Sequence, residues 1–327
     1  MDPRLLQRTE PRLLRATGVV FGLLLLGALA FFFTYAFMGF LYPAPMQSQV
    51  ASAVEPTEPD PFASVSLIAK SVYVLDMNTG RVLYEQNANA QLPLASLTKV
   101  ALVLTVVEAL PSDTLVSTPA TYGAPPAGGT SRLPAGQTWS LGDAIDFTLV
   151  ASSDDGAELL ASSANDPIHQ VYPQSPAQGA TLWRMNDLAK GLGLVNTYFL
   201  NVSGLDVSPT QSGAYGSARD IATLFAYAAS TSPSTFSATA QPDVTIRSTT
   251  GATATGVNTD TALDQIPGII MGKTGYTDLA GGNLAVVFNV APGHPVVAVV
   301  LGSTQDGRFT DMEQLVPAAQ TAVEEGK

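Results

Sequence analysis

The hydrophobic pattern of the chain opens on an unbroken run without charge, Ala16 to Tyr42. Its 27 positions are enough to cross a bilayer, and Arg4, Arg8, Arg12 and Arg15 supply the positive flank that stays cytoplasmic. A cleaved signal peptide has a shorter apolar core, so the run reads as an uncleaved single-pass anchor, with the remainder of the chain outside the cell. Pro43 to Pro61 is rich in proline, serine, alanine and glutamate and reads as a linker. The expected organisation is a cytoplasmic tail at 1–15, a transmembrane anchor at 16–42, a linker at 43–62 and one globular domain at 63–327.

Within that domain the period changes from element to element. Ser71–Leu75 and Arg81–Tyr84 are β-rich and flank a loop ending in Gly80, a hairpin signal. Pro93 suits the first turn of a helix, where its missing N–H costs nothing. Val100 to Leu110 is apolar and stops at Pro111; its length favours a buried helix over a strand despite its valines. Further helices are expected from Leu141 to Leu149, through Ala157–Ala161, Trp183–Ala189 and Ala218–Ala226, and from Thr310 to Glu325. Leu284–Phe288 and Val296–Leu301 read as a second hairpin. Ala120–Pro134, Ser162–Ala180 and Ser230–Gly256 read as loops or extended chain. Strands and helices in this mixed order indicate an α/β (α+β) class with a mainly antiparallel sheet and helices on both faces.

Composition narrows the chemistry. There is no cysteine among the 327 residues, hence no thiolate nucleophile and no disulfide. His169 and His294 are the only imidazoles and do not stand in zinc-ligand spacing. Beyond the anchor the chain carries 11 basic and 25 acidic residues, a balance that disfavours nucleic acid. Gly272-Lys273-Thr274 invites a phosphate-loop reading, but Gly268 stands one residue too close, and the segment leads into a strand instead of a helix. Asn201-Val202-Ser203 is a glycosylation sequon with no expected role.

Ser96 and Lys99, three residues apart, meet on one helical face. A lysine buried among apolar groups loses stabilisation of its charged form and can act as a base, which would give Ser96 a proton acceptor one turn away. Lys99 is the only one of five lysines with a serine or threonine three positions before it. Downstream, Ser152-Ser153-Asp154 interrupts two apolar helical stretches; helix capping and a catalytic role both fit such a break.

Taken in order, the first hairpin, Ser96-x-x-Lys99, the Ser152 interruption, Met185-Asn186, Asn196-Thr197-x-Phe199, Gly204-Leu205-Asp206, Lys273-Thr274-Gly275 and the last hairpin resemble the serine D-alanyl-D-alanine carboxypeptidases. These are low-molecular-mass members of the penicillin-binding and β-lactamase superfamily. The resemblance covers roughly Ser71 to Leu315. It implies a β-lactamase/transpeptidase-like fold and removal of the terminal D-alanine from peptidoglycan stem peptides, with β-lactams as covalent inhibitors and no metal or cofactor. By the same resemblance Ser96 is the nucleophile, Lys99 its base and Ser152 a proton relay. Lys273, Thr274 and Gly275 bind the substrate carboxylate, and the backbone N–H groups of Ser96 and Tyr276 form the oxyanion hole.

Asp154 departs from the family's Ser-x-Asn. Asparagine donates to a substrate carbonyl, whereas an ionised aspartate cannot, though it can pair with Lys99 or Lys273. That substitution predicts weaker activity or activity moved to lower pH, and it motivates a non-catalytic wall-binding protein as the rival reading. An alternative register, Ser163-Ala164-Asn165, is disfavoured because Pro167 interrupts the helix that should follow. A class A β-lactamase shares two of the motifs, but this chain lacks a Glu-x-x-Leu-Asn segment to activate a deacylating water. Endopeptidase and carboxypeptidase action share one acyl-enzyme and are not separable at this level.

Overall fold

Alternation along the strands explains how one sheet supports two cores. The strands are β1 (Ser71–Asp76), β2 (Val82–Gln86), β3 (Ile269–Thr277), β4 (Gly281–Ala291) and β5 (His294–Ser303). They form a sheet in the order β3-β4-β5-β1-β2, every pair antiparallel. Val297, Val299 and Leu301 of β5 point into one apolar cluster, Val296, Ala298 and Val300 into the other. Both faces are covered, so the central strands read as continuous apolar runs even though the sheet is antiparallel.

This computed structural model describes residues 60–122 and 132–326, with Gly27, Ala28 and Thr34. The chain divides into two compact units, Met1–Glu58 and Pro59–Lys327, and the elements named here lie in the second. The anchor read at 16–42 falls outside the described residues apart from those three, which are helical. Among the described residues no helix is long and apolar enough to cross a membrane. Part of the loop read at 120–134 is likewise outside them.

Among the described residues, six main helices surround the sheet: α1 (Thr98–Ala109), α2 (Leu141–Val150), α3 (Asp154–Val171), α4 (Ala180–Gly191), α5 (Ala218–Thr231) and α6 (Gly307–Glu324). α1 is buried at every position from Thr98 to Val106, as an all-round apolar sequence requires. It is the axis of the larger core, while Met312, Leu315, Val316 and Ala319 of α6 cover the opposite face. Asp311 ties α6 to the start of the domain. Its carboxylate accepts from the N–H groups of Ile68 and Ala69 at 2.7 and 2.9 Å, and from Ser303 Oγ at 2.6 Å.

Three local expectations need correction. Pro93 is not in a helical turn but in a two-residue strand paired with Tyr215, where proline's lost N–H is equally cheap. Pro167 does not break its helix: α3 runs to Val171, because Ala164 and Ile168 are buried and their packing outweighs one missing bond. The stretch after Ser162 is therefore helical as far as Val171 rather than loose. Between 230 and 256, a short helix (Pro233–Phe236) leads to a separate strand pair, Asp243–Arg247 with Thr253–Val257.

Candidate active site

Ser96 lies in a single 3₁₀ turn, Ala95–Leu97, that feeds directly into α1. Ala95 before it has φ +49°, a left-handed conformation costly for a residue with a side chain. The surroundings hold that turn in place. Buried Asn283 of β4 donates from Nδ2 to the carbonyls of Pro93 and Leu94, both at 3.0 Å, while its Oδ1 accepts from Gly302 N at 2.8 Å. A central strand therefore sets the turn that presents Ser96.

One helical turn on, the Lys99 side chain is wholly buried, and its Nζ has three neighbours. These are Ser96 Oγ at 2.8 Å, Asp154 Oδ1 at 2.7 Å and the Ser203 carbonyl at 2.9 Å. Burial pushes the Lys99 pKa below the ordinary lysine value; the Asp154 carboxylate, by charge and hydrogen bond, and more weakly Glu158 pull it back up. Desolvation wins, so the amine is more easily neutral than a surface lysine.

The interruption at 152–154 caps a helix and also reaches Lys273. Ser153 caps α3, its Oγ accepting from Gly156 N at 3.0 Å. Ser152, just before it, has φ +56°, the sharp bend in the short link, Ala151 to Ser153, that joins α2 to α3. Its Oγ lies 2.8 Å from Nζ of Lys273, which also donates to the Thr274 carbonyl at 2.9 Å. Lys273 is buried too, and no carboxylate stands within ion-pair distance of it among the described residues. Desolvation, then the positive charges of Lys99 and Arg308, hold its pKa well below the ordinary value against weaker help from Asp154 and Asp260.

β3 supplies the opposite wall as an edge strand. Thr274 Oγ1 is 2.6 Å from Thr259 Oγ1, and the Gly275 carbonyl accepts from Arg308 Nη1 at 2.8 Å. Only glycine fits at 275: a Cβ there would come within 2.8 Å of the Leu94 carbonyl oxygen and 3.2 Å of Ser96 N. The end of β3 thus lies directly against the Ser96 turn, with Tyr276 next to it and its ring half-exposed.

The fold thus brings Ser96, Lys99, Ser152, Asp154, Lys273, Thr274, Gly275 and Tyr276 to one place. The other register is not part of it. Asn165 Oδ1 accepts from Thr181 N at 3.0 Å at the start of α4, and Ser163 Oγ donates to the Leu159 carbonyl. His294 pairs with Asp76 at 2.9 Å and His169 lies 3.3 Å from Ser175 Oγ, both away from these residues. The Asn201 amide is spent on its own turn, donating to Leu205 O and accepting from Gly204 N. Sequence reasoning missed Asn283, Arg308 and the Ser203 carbonyl. The first two carry no local pattern, and the third acts through a backbone atom that any residue has.

Comparison with known proteins gives a consistent picture. The family described as D-alanyl-D-alanine carboxypeptidase, Peptidase S11, matches residues 54–305. The chain is 30% identical over 246 residues to the D-alanyl-D-alanine carboxypeptidase DacB2 of Mycobacterium tuberculosis, covering 75% of this chain and 79% of that one. It is also 30% identical over 213 residues to DacF of Bacillus subtilis, covering 64% of this chain but only 51% of that protein. The chain thus spans about half the length of the latter. Among solved structures, Penicillin-Binding Protein D2 from Listeria monocytogenes in its cefotaxime-bound form superposes with a TM-score of 0.64 at 29% identity, over 80% of this chain and 99% of that one.

Proposed function

The chain belongs to the D-alanyl-D-alanine carboxypeptidase family of serine peptidases, and on that premise we propose that it removes the terminal D-alanine of peptidoglycan stem peptides through an acyl-enzyme on Ser96. The observation that carries this reading is the three-way contact of Lys99 Nζ. A neutral amine has two N–H donors and one lone pair. Asp154 Oδ1 at 2.7 Å and the Ser203 carbonyl at 2.9 Å take the two donors, which leaves the lone pair for the Ser96 hydroxyl at 2.8 Å.

In this mechanism Ser96 Oγ attacks the carbonyl of the penultimate D-alanine as its proton passes to Lys99. The negative charge formed on the carbonyl oxygen is met by the backbone N–H groups of Ser96 and Tyr276, held together by the close approach at Gly275. Ser152, hydrogen-bonded to Lys273, relays a proton to the leaving amine as the C–N bond breaks, giving its own and regaining one from the Lys99 ammonium, so that the proton taken from Ser96 leaves with the released D-alanine and Lys99 is neutral again. Water then hydrolyses the ester. Lys273 and Thr274 receive the terminal carboxylate of the substrate. Asp154 cannot donate to the substrate as asparagine would. It acts on Lys99 instead, stabilising the ammonium formed when the proton arrives.

The uncharged run at 16–42 and the arginines before it support the further reading that the domain is held at the outer face of the cell membrane by a single N-terminal span. Intact mass of the protein after incubation with benzylpenicillin tests the central claim. One adduct of the drug's mass, absent in Ser96→Ala, is expected. No adduct and no drug turnover from acid to alkaline pH would leave the non-catalytic wall-binding protein as the better reading.

A further inference from the structure

The segment Gly204-Leu205-Asp206 belongs to none of the catalytic motifs, yet it touches both halves of the site. Just before it, the Ser203 carbonyl accepts from Lys99 Nζ at 2.9 Å. Gly204 has φ +86°, and a Cβ on it would come within 2.0 Å of the Ala95 carbonyl oxygen, so this loop lies flush on the turn that carries Ser96. At its other end the half-buried Asp206 carboxylate accepts from Thr277 Oγ1 at 3.0 Å and from Leu279 N at 3.3 Å. Thr277 Oγ1 in turn accepts from Ala280 N at 3.1 Å.

Thr277 is the last residue of β3 and follows Tyr276, whose N–H is one of the two oxyanion donors in the reading above. The other donor, Ser96 N, belongs to the turn against which Gly204 packs. β3 is an edge strand, hydrogen-bonded to β4 alone within the sheet. Off the sheet, Arg308 holds the Gly275 carbonyl before Tyr276, and Asp206 holds Thr277 and Leu279 after it; of the two, Asp206 is the side chain that comes from the loop resting on Ser96.

We propose that Asp206 is a positioning residue that sets the oxyanion hole: through Thr277 and Leu279 it holds the end of β3 at a fixed distance from the Ser96 turn and from the carbonyl that orients Lys99. It touches neither substrate nor the reacting atoms. Because the tie acts where negative charge develops in the transition state, its loss slows acylation rather than weakening the initial drug complex. This inference rests on the acyl-enzyme reading of the site.

The test is stopped-flow acylation by benzylpenicillin of the wild-type chain, Asp206→Ala, Thr277→Val and the double variant, separating the acylation rate constant from the initial dissociation constant. The expected result is a fall in the acylation rate constant of roughly tenfold to a hundredfold in Asp206→Ala. The dissociation constant stays within about twofold, Thr277→Val shows the same kind of loss, and the double variant is no slower than Asp206→Ala alone. A defect confined to folding would lower the active fraction and leave the rate constant of the folded molecules unchanged. Wild-type rates in the variants, a change confined to the dissociation constant, or additive losses in the double variant would overturn the proposal. If Asp206→Ala does not fold, Thr277→Val decides alone, a slowed acylation constant supporting the tie and a wild-type one overturning it. A wild-type chain that forms no adduct overturns the acyl-enzyme reading itself, and the positioning role with it.

Discussion

Lys99 Nζ stands 2.7 Å from Asp154 Oδ1, with the lysine side chain wholly buried and the aspartate side chain nearly so. Two opposed effects act on one proton. Burial favours the neutral amine that can deprotonate Ser96, and the carboxylate favours the ammonium that follows transfer. The pair therefore makes the resting base harder to deprotonate and the proton-accepting step more favourable. With Lys99 as the proposed base, a carboxylate that holds the lysine's proton is expected to place the acid limb of activity at higher pH, opposite to the direction expected from sequence.

Asp154→Asn removes that carboxylate while keeping an oxygen to accept from Lys99. The Lys99 pKa falls further, and the acid limb of the acylation rate moves to lower pH. On that limb the neutral fraction of Lys99, and with it the acylation rate, rises at a given pH. A pH profile of β-lactam acylation superimposable on wild type would show that the carboxylate does not govern the base.

Lys273→Met separates function from stability. Because its pKa is depressed on folding, the folded state binds fewer protons at this lysine than the unfolded chain between the folded pKa and the ordinary value. Its contribution to stability thus improves as pH rises through that window and is poorest below it. Replacing it with methionine should abolish acylation, stabilise the fold near neutrality by about 1–3 kcal/mol and flatten the dependence of stability on pH. Urea denaturation at several pH values checks this; a destabilised variant would contradict it.

Gly204→Ala introduces both a left-handed alanine and a clash with the Ala95 carbonyl oxygen. The loop must lift, taking the Ser203 carbonyl from Lys99. The expected outcome is a loss of about 2 kcal/mol or more in stability together with a marked fall in acylation by the molecules that remain folded. Wild-type acylation per folded molecule would mean that the loop does not orient the lysine.

Asp311→Ala strips three donors of their acceptor at the junction of α6, β5 and the residues entering β1. With two backbone N–H groups left unsatisfied, a loss of about 3 kcal/mol is expected by chemical denaturation. A change under about 1 kcal/mol would mean that water takes over the carboxylate's role.

Features that depend on near neighbours along the chain were legible in the sequence alone. The i, i+3 spacing puts Ser96 beside Lys99, the apolar runs become β4, β5 and α1, and Ser152-Ser153-Asp154 marks a helix junction whatever surrounds it. Pro93 and Pro167 depart from their local expectation because propensity is a weak effect, which the strand pairing of Pro93 and the burial of Ala164 and Ile168 override. Which lysine Asp154 pairs with was settled by tertiary packing, since Lys99 and Lys273 were equally open to it and the choice rests on how α3 packs against α1. Nor could sequence reveal Asn283, Arg308 or the Ser203 carbonyl, which act across more than 30 residues of chain, each by a bond whose geometry exists only after the sheet and helices have closed around Ser96.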